Sequence, residues 1–487
     1  MLTATIFLPA LGALVIALLP RDQQGLPRVV AALFTVASLA LSLVMLAGFR
    51  PHGGFQYVGA APWLSPGIGD FTLNYRVGVD GISLPLVLLT TFLTLLAVLV
   101  SWNISLRPKE YFAWLLVLES GVLGVFTALD LVLFFLFWEV ELVPMYMLIS
   151  VWGSGRKEYS AFKFLLYTVA GSAFMLVGIL ALGFSAGTMD IRGLAAMGPL
   201  ANPIVPATAI FFLIFAAFAV KLPIAPFHTW LPDAHTDAPT AVSVMLAGVL
   251  LKMGGYGIIR LCVTILPDVA HRYAALLATL AAINVIYGAL ITLRQRDLKR
   301  LIAYSSVSHM GYVLLGIAAL GQVGLTGATL QMFTHGTITG LLFVMVGLVY
   351  DRTHTRDIAR MRGLSKHWPF IGVGMTIAGF ASLGLPAMSG FVAELLVFLG
   401  TFDRFTVMTI AAVVGIVLSA GYILWTVERV FHGPPMEEWQ GMPDATRWWE
   451  RIPVGALVVT IIGVGVYPQA LLNIIGPSVE AVVARLS

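Results

Sequence analysis

The chain has 487 residues, of which 59% are hydrophobic and only 11% charged, with a formal net charge of +4 and a mean hydropathy of +0.93. That balance excludes an ordinary soluble domain and a nucleic-acid-binding protein, and it points to a membrane protein with repeated spans filling almost the whole chain. A single cysteine, Cys262, excludes an internal disulfide and a cysteine-ligated iron–sulfur cluster supplied by this chain alone.

Taken in order, the apolar runs predict an all-α polytopic membrane protein of about fourteen helices. These lie at roughly 2–20, 28–49, 78–102, 111–128, 131–151, 160–186, 204–231, 239–265, 271–293, 301–320, 324–350, 369–400, 407–431 and 452–473, with a short tail over 475–487. The first run has no basic segment before it and no small-residue cleavage site after it, so it is expected to be a retained helix. Of the 28 lysines and arginines, nineteen fall in alternate connections, from Arg21 and Arg28 to Arg447 and Arg451. Seven fall in the others (Arg50, Arg76, Arg192, Arg260, Arg272, Arg404 and Arg485), and Lys221 and Lys252 stay inside spans. The positive-inside rule then puts both termini on the outer side.

Ionisable side chains inside such runs are costly, roughly 2.5–3.5 kcal/mol each at bilayer depth, and they mark ion pathways and proton relays. Glu139 lies in LVLFFLFWEVELVP, Lys221 in AAFAVKLPIAPFHTWLP, Lys252 in AVSVMLAGVLLKMGGYGII and Glu394 in AGFASLGLPAMSGFVAELL. His309 and His335 fall in the tenth and eleventh spans, where imidazole can both accept and donate a proton. Glu119 and Glu141 are also inside spans, without an assigned role. Glu141, two residues from Glu139, points to another side of the helix and is expected to matter less. Asp130 reads as a helix cap. His228, Asp233, His235 and Asp237, in HTWLPDAHTD, are metal-ligand types, but their place at a helix end near the cytoplasmic surface favours capping and loop anchoring. Two histidines do not make a haem pocket, and no Walker or dinucleotide fingerprint follows a strand pattern.

Two spans are predicted to be broken. Pro223 and Pro226 follow Lys221 in the seventh, and Gly384, Pro386 and Gly390 precede Glu394 in the twelfth. Proline withdraws a backbone donor, and broken backbone at membrane depth is tolerated where it lines a wet or protein-buried cavity. The breaks are five helices apart, an odd number, and the ionisable residue precedes one and follows the other. This is the pattern of an inverted repeat.

The stretches LFFLFWEVELVPMYMLISVWG, KLPIAPFHTWLPDAHTDAPTAVSVMLAGVLLKMGGYGIIR, RDLKRLIAYSSVSHMGYVLLG and DRTHTRDIARMRGL resemble the M-type antiporter-like subunits of respiratory complex I, NADH:quinone oxidoreductase, over essentially the whole chain. The resemblance implies two inverted five-helix repeats, at about 111–265 and 271–431, preceded by helices one to three (1–110) and followed by a last helix and tail (452–487). It implies a proton-transfer path through Glu139, Lys221, Lys252, His309, His335 and Glu394, with Glu139 paired to Lys221. It further implies no cofactor or metal in this chain, flavin and iron–sulfur clusters in partner subunits, and L-type and N-type antiporter-like neighbours in the inner membrane of a bacterium. L-type relatives continue into a long lateral helix, and N-type and L-type relatives carry lysine at the position of Glu394. The D-type subunit of multisubunit sodium–proton antiporters is the competing reading, and a purely structural spacer is disfavoured by the buried charges.

Overall fold

The computed structural model describes residues 1–487 other than 21–22, 24, 65–72, 199, 201–202 and 487. Arg21, counted above with the cytoplasmic charges, lies outside the described residues. Two helices, α1 (Leu2–Leu18) and α2 (Leu26–Ala47), lead into a β-hairpin of β1 (Gln56–Leu64) and β2 (Leu73–Val79). α3 (Ser83–Val100), α4 (Pro108–Thr127), α5 (Leu131–Val140), α6 (Leu142–Trp152) and α7 (Lys157–Ala186) follow, with a short α8 (Ile191–Ala196). Next come α9 (Ala207–Lys221), α10 (Trp230–Asp237), α11 (Thr240–Met245) and α12 (Leu251–Gly257), the last two joined by one π-helical turn and followed by a second, so that Thr240–Val263 is continuous. The chain then runs through α13 (Pro267–Leu293), α14 (Leu298–Ala318), α15 (Gln322–Thr353), α16 (Leu364–His367), α17 (Pro369–Ser382), α18 (Ser389–Thr401), α19 (Thr406–Phe431), α20 (Trp448–Val466) and α21 (Gln469–Val483).

Among the described residues, eleven helices are long and apolar enough to cross a membrane, counting Leu131–Trp152 and Thr240–Val263 as one each. α1 and the broken pairs α9/α10 and α17/α18 occupy the remaining predicted spans in shorter pieces. Two departures have local causes. The hairpin was not anticipated: its strands alternate apolar and polar residues (LNYRVGV), and its backbone pairing continues into Ala128 beyond α4. The last predicted helix ends earlier, at Val466, because Pro468 supplies no amide to continue it, and the expected tail folds as α21.

One backbone motif occurs twice. Asp130 bridges to Asp190, and Asp297 bridges to Asp357; in each case the first aspartate caps the helix it precedes. Asp130 accepts from Val132 and Leu133 N–H at 3.0 and 3.1 Å, and Asp297 from Lys299 and Arg300 N–H at 2.8 and 2.9 Å. The expected cap at Asp130 is therefore present, and Asp297 is its counterpart later in the chain.

The bundle has a clear inside. The windows of Thr240–Val263 and α15 are buried throughout, whereas those of α2, α19 and α20 are about one-third buried or less. Apolar side chains exposed on the outer helices are what a bilayer or a neighbouring subunit covers. These two helices are the ones that carry Lys252 and His335.

Candidate functional site: a buried line of titratable side chains

The seventh span breaks at Lys221, the last residue of α9, and the chain is irregular until Trp230. Pro223 and Pro226 bring no amide hydrogens, so backbone groups here need outside partners. Asn284 of α13, fully buried, provides them. Its amide nitrogen donates to the carbonyls of Pro223 (3.1 Å) and Val307 (3.3 Å), and its oxygen accepts from Ala225 N–H at 2.7 Å. Nothing in the sequence pattern marked this residue. Asn284→Leu keeps the branched shape but strands these groups at about 1–3 kcal/mol each. The expected result is a lower unfolding temperature of the purified complex, and an unchanged one would show that the break holds itself.

Lys221, fully buried, forms its ion pair with Glu141, also fully buried. The expected partner, Glu139, is not the one in contact. Glu139 is partly exposed at the bundle margin, next to the exposed Leu136, Val140 and Val143. The two carboxylates diverge because they are two residues apart on a helix, as anticipated, but it is Glu141 that faces inward. Pro144 leaves the Val140 carbonyl without its helical donor, and the helix is interrupted at Glu141, between α5 and α6. The rings of Trp138 and Phe164 lie 5.5 and 5.3 Å from the Lys221 ammonium and help to hold the cation.

Lys252 is reached through direct packing of its helix on the seventh-span break. A side-chain carbon added at Gly254 would come within 2.7 Å of the Leu222 amide nitrogen, so only glycine permits this approach. Lys252 donates to the carbonyl of Ala247, in the π turn that precedes α12, and lies 2.8 Å from His335 Nδ1. π turns of this kind recur at functional sites. The rings of His335 and His309 are 5.6 Å apart, centre to centre. His309 Nδ1 lies 3.3 Å from Glu394 Oε1, and its Nε2 lies 3.3 Å from the Ser382 hydroxyl. A cavity of about 10 Å³, close to the room one water needs, is lined by His309, Gln331, His335, Thr339, Ser382 and Glu394. Gly384, at φ +77°, turns the second break, and a side-chain carbon there would come within 2.7 Å of Glu394 Oε2.

Lys252, His335, His309 and Glu394 thus form one buried line, with the Glu141–Lys221 pair across the contact at Gly254. The aspartates of HTWLPDAHTD do anchor the loop: Asp233 pairs with Lys163 (2.7 Å) and Arg300 (3.4 Å), and Asp237 accepts from Ser160 at 2.6 Å. His235 does not. It is fully buried and stacked on Phe343 at 4.6 Å, and neither ring nitrogen has a partner. Glu119 is fully buried with both oxygens unpartnered, and the line does not include it. Among the described residues no cluster of three or more metal-ligand side chains occurs.

Residues 128–419 match the family described as NADH:quinone oxidoreductase/Mrp antiporter, transmembrane. The chain is 43% identical to NADH-quinone oxidoreductase subunit M of Rhodobacter capsulatus, over 99% of this chain and 96% of the relative. It is 44% identical to an NAD(P)H-quinone oxidoreductase chain 4 of Synechococcus elongatus, over 100% of this chain and 92% of the relative. Its fold matches a chain of respiratory complex I from Thermus thermophilus, with a TM-score of 0.90, 28% identity and full coverage of both. It also matches a chain of the Mrp complex from Dietzia sp. (TM-score 0.84, 23% identity, covering 100% of this chain and 99% of that one), a likeness of fold alone. The chain therefore belongs to the NADH:quinone oxidoreductase/Mrp antiporter membrane family, on its M-type, or chain 4, branch.

Proposed function

We propose that this chain is the M-type proton-translocating subunit of a complex I membrane arm, moving protons across the membrane while NADH:quinone electron transfer takes place in partner subunits that hold the flavin and iron–sulfur clusters. The observation that carries this reading is the buried line Lys252–His335–His309–Glu394, whose neighbours along it are within 2.8 to 3.3 Å or ring to ring at 5.6 Å. Imidazoles between a lysine and a carboxylate can pass a proton by accepting at one nitrogen and releasing from the other. The likeness to oxidoreductase subunits at 43 and 44% identity supports complex I over a sodium–proton antiporter.

In this reading the repeats span about 111–265 and 271–431, both termini lie on the outer side of a bacterial inner membrane, and L-type and N-type subunits flank the chain. Protons reach the line from the cytoplasmic side. There a cavity of about 680 Å³ is lined by Lys299, Asp351, Arg352, Glu450 and the segment Ala238–Ala241. The Glu141–Lys221 pair controls when Lys252 takes a proton, since a neighbouring charge or its withdrawal changes how firmly each lysine holds its own. Glu394 releases the proton outward.

The test is proton pumping by inverted membrane vesicles carrying His335→Ala or His309→Ala, with NADH oxidation by an artificial acceptor as the control. Pumping is expected to fall by roughly 10²-fold or more, as loss of a proton-transfer group does, with the control unchanged. Normal pumping in both variants would end the relay.

A further inference from the structure

Along α15, Gln331, His335 and Thr339 are spaced four residues apart on one helix face, and all three line the small cavity beside Glu394. Of the four ring nitrogens around it, three are engaged. His335 Nδ1 lies 2.8 Å from the Lys252 ammonium, which can only donate, so Nδ1 accepts and the neutral ring carries its proton on Nε2. His309 turns Nδ1 to Glu394 and Nε2 to the Ser382 hydroxyl, both at 3.3 Å. The fourth, His335 Nε2, is buried and has no partner among the described residues. The two rings are therefore neighbours at 5.6 Å with no hydrogen bond between them. The cavity, about 10 Å³, has room for one water, and a buried water needs two to four polar partners. Its walls supply four. His335 Nε2–H is one donor. Gln331 is buried, and its amide oxygen already accepts from the Thr334 hydroxyl at 3.3 Å, so its NH₂ is the second donor. The Glu394 carboxylate is one acceptor, and the other is the Thr339 hydroxyl oxygen, whose hydrogen goes to the His335 carbonyl at 2.6 Å.

We propose that Gln331 is a positioning residue that seats a single water between His335 and the His309–Glu394 pair, and that the proton crosses the gap between the two rings through this water. This rests on the proton-translocating reading above. In the step, an N–H bond of the Lys252 ammonium breaks and one forms at His335 Nδ1. The His335 Nε2–H bond breaks, and that proton goes to the water oxygen. An O–H bond of the water then breaks toward Glu394 and one forms on its carboxylate. Lys252 ends neutral, Glu394 ends as the acid, and the water is whole again, so the net charge of the group is unchanged. His309 holds the receiving carboxylate in place through Nδ1. The Gln331 amide does not exchange a proton; its N–H fixes the water oxygen so that one O–H points at Glu394. An apolar side chain in its place leaves the water with three partners and no fixed orientation.

The experiment compares Gln331→Leu and Gln331→Met with the unaltered chain in the whole complex, reading proton pumping in H₂O and in D₂O, assembly on native gels and NADH oxidation by an artificial acceptor. Pumping is expected to fall by about tenfold or more in both variants, as misplacement of a reacting group does, with assembly and the acceptor reaction unchanged. The solvent isotope effect on pumping should rise, because the transfer through the water has become the slow step. A packing defect lowers the rate without raising the isotope effect. Normal pumping, or a fall with an unchanged isotope effect, would overturn the proposal. Should Gln331→Leu fail to assemble, Gln331→Met, unbranched and of similar reach, carries the same test. An electron cryo-microscopy map of the unaltered complex that resolves ordered waters should show one in contact with Gln331, His335 and Glu394. Ordered waters elsewhere in the bundle and none at this place would also overturn it. Failure of the water step alone leaves the His309 and His335 variants defective, whereas failure of the wider reading leaves them normal.

Discussion

Lys221→Met is expected to damage both assembly and pumping, whereas the double variant Lys221→Met/Glu141→Gln recovers assembly and not pumping. The single change leaves Glu141, fully buried, without its ammonium. Removing one partner of a buried ion pair costs about 3–5 kcal/mol, because the remaining charge is uncompensated. That is a large share of the stability of any single chain, so the amount of assembled complex on native gels should drop. Neutralising both members removes the orphan, and replacing a buried pair by neutral groups of similar size is often without cost. If the pair were only a packing device, the double variant would recover pumping with assembly. If it is the control point of proton transfer, the recovered complex should oxidise NADH with an artificial acceptor at the normal rate and pump almost nothing. Pumping per assembled complex is therefore the decisive quantity.

The membrane class and the broken helices were legible because they rest on long-range composition and on proline. A run of some twenty apolar residues has one outcome in a bilayer, and Pro223 and Pro386 withdraw backbone donors where the two spans break. Lys252, His309, His335 and Glu394 could be picked out because each is a polar group in an apolar run. Residue type and helix number were enough for these, and the structure brings all four together. What could not be read was direction. Glu139 and Glu141 sit in the same run, and only the packing of α5 and α6 against α7 and α9 decides which faces Lys221. His235 was assigned to a surface because it shares a polar stretch with Asp233 and Asp237 at a predicted helix end, yet α10 turns the histidine inward onto Phe343. Asn284 left no trace, since a single asparagine in a helix has no pattern, and its value comes from the Pro223–Ala225 backbone that folding places beside it. The hairpin was hidden because short strands between long apolar runs contribute little to a composition-led reading.

Glu394 gives the sharpest separation of relay from scaffold. Its carboxylate lies 3.3 Å from His309 Nδ1, within the small cavity that also borders His335 and Ser382, and Gly384 packs against it from the second break. Glu394→Gln keeps the shape and a hydrogen-bonding oxygen toward His309, so a structural role would survive it. A relay would not, because an amide cannot take and release a proton at these energies; pumping should fall by roughly 10²-fold or more with assembly intact. Glu394→Lys makes the opposite comparison. It puts an ammonium beside His309 with no acid to meet it, which a scaffold would register as an uncompensated buried charge and loss of folding. A relay keeps a titrating group at the end of the line, and a lysine able to lose its proton to neighbouring water can still pass one on. The expected order is therefore partial pumping in Glu394→Lys and near-complete loss in Glu394→Gln, with both complexes assembled. The reverse order, with glutamine tolerated and lysine disruptive, would return Glu394 to a packing role and leave the line from Lys252 to His309 without its terminal acid.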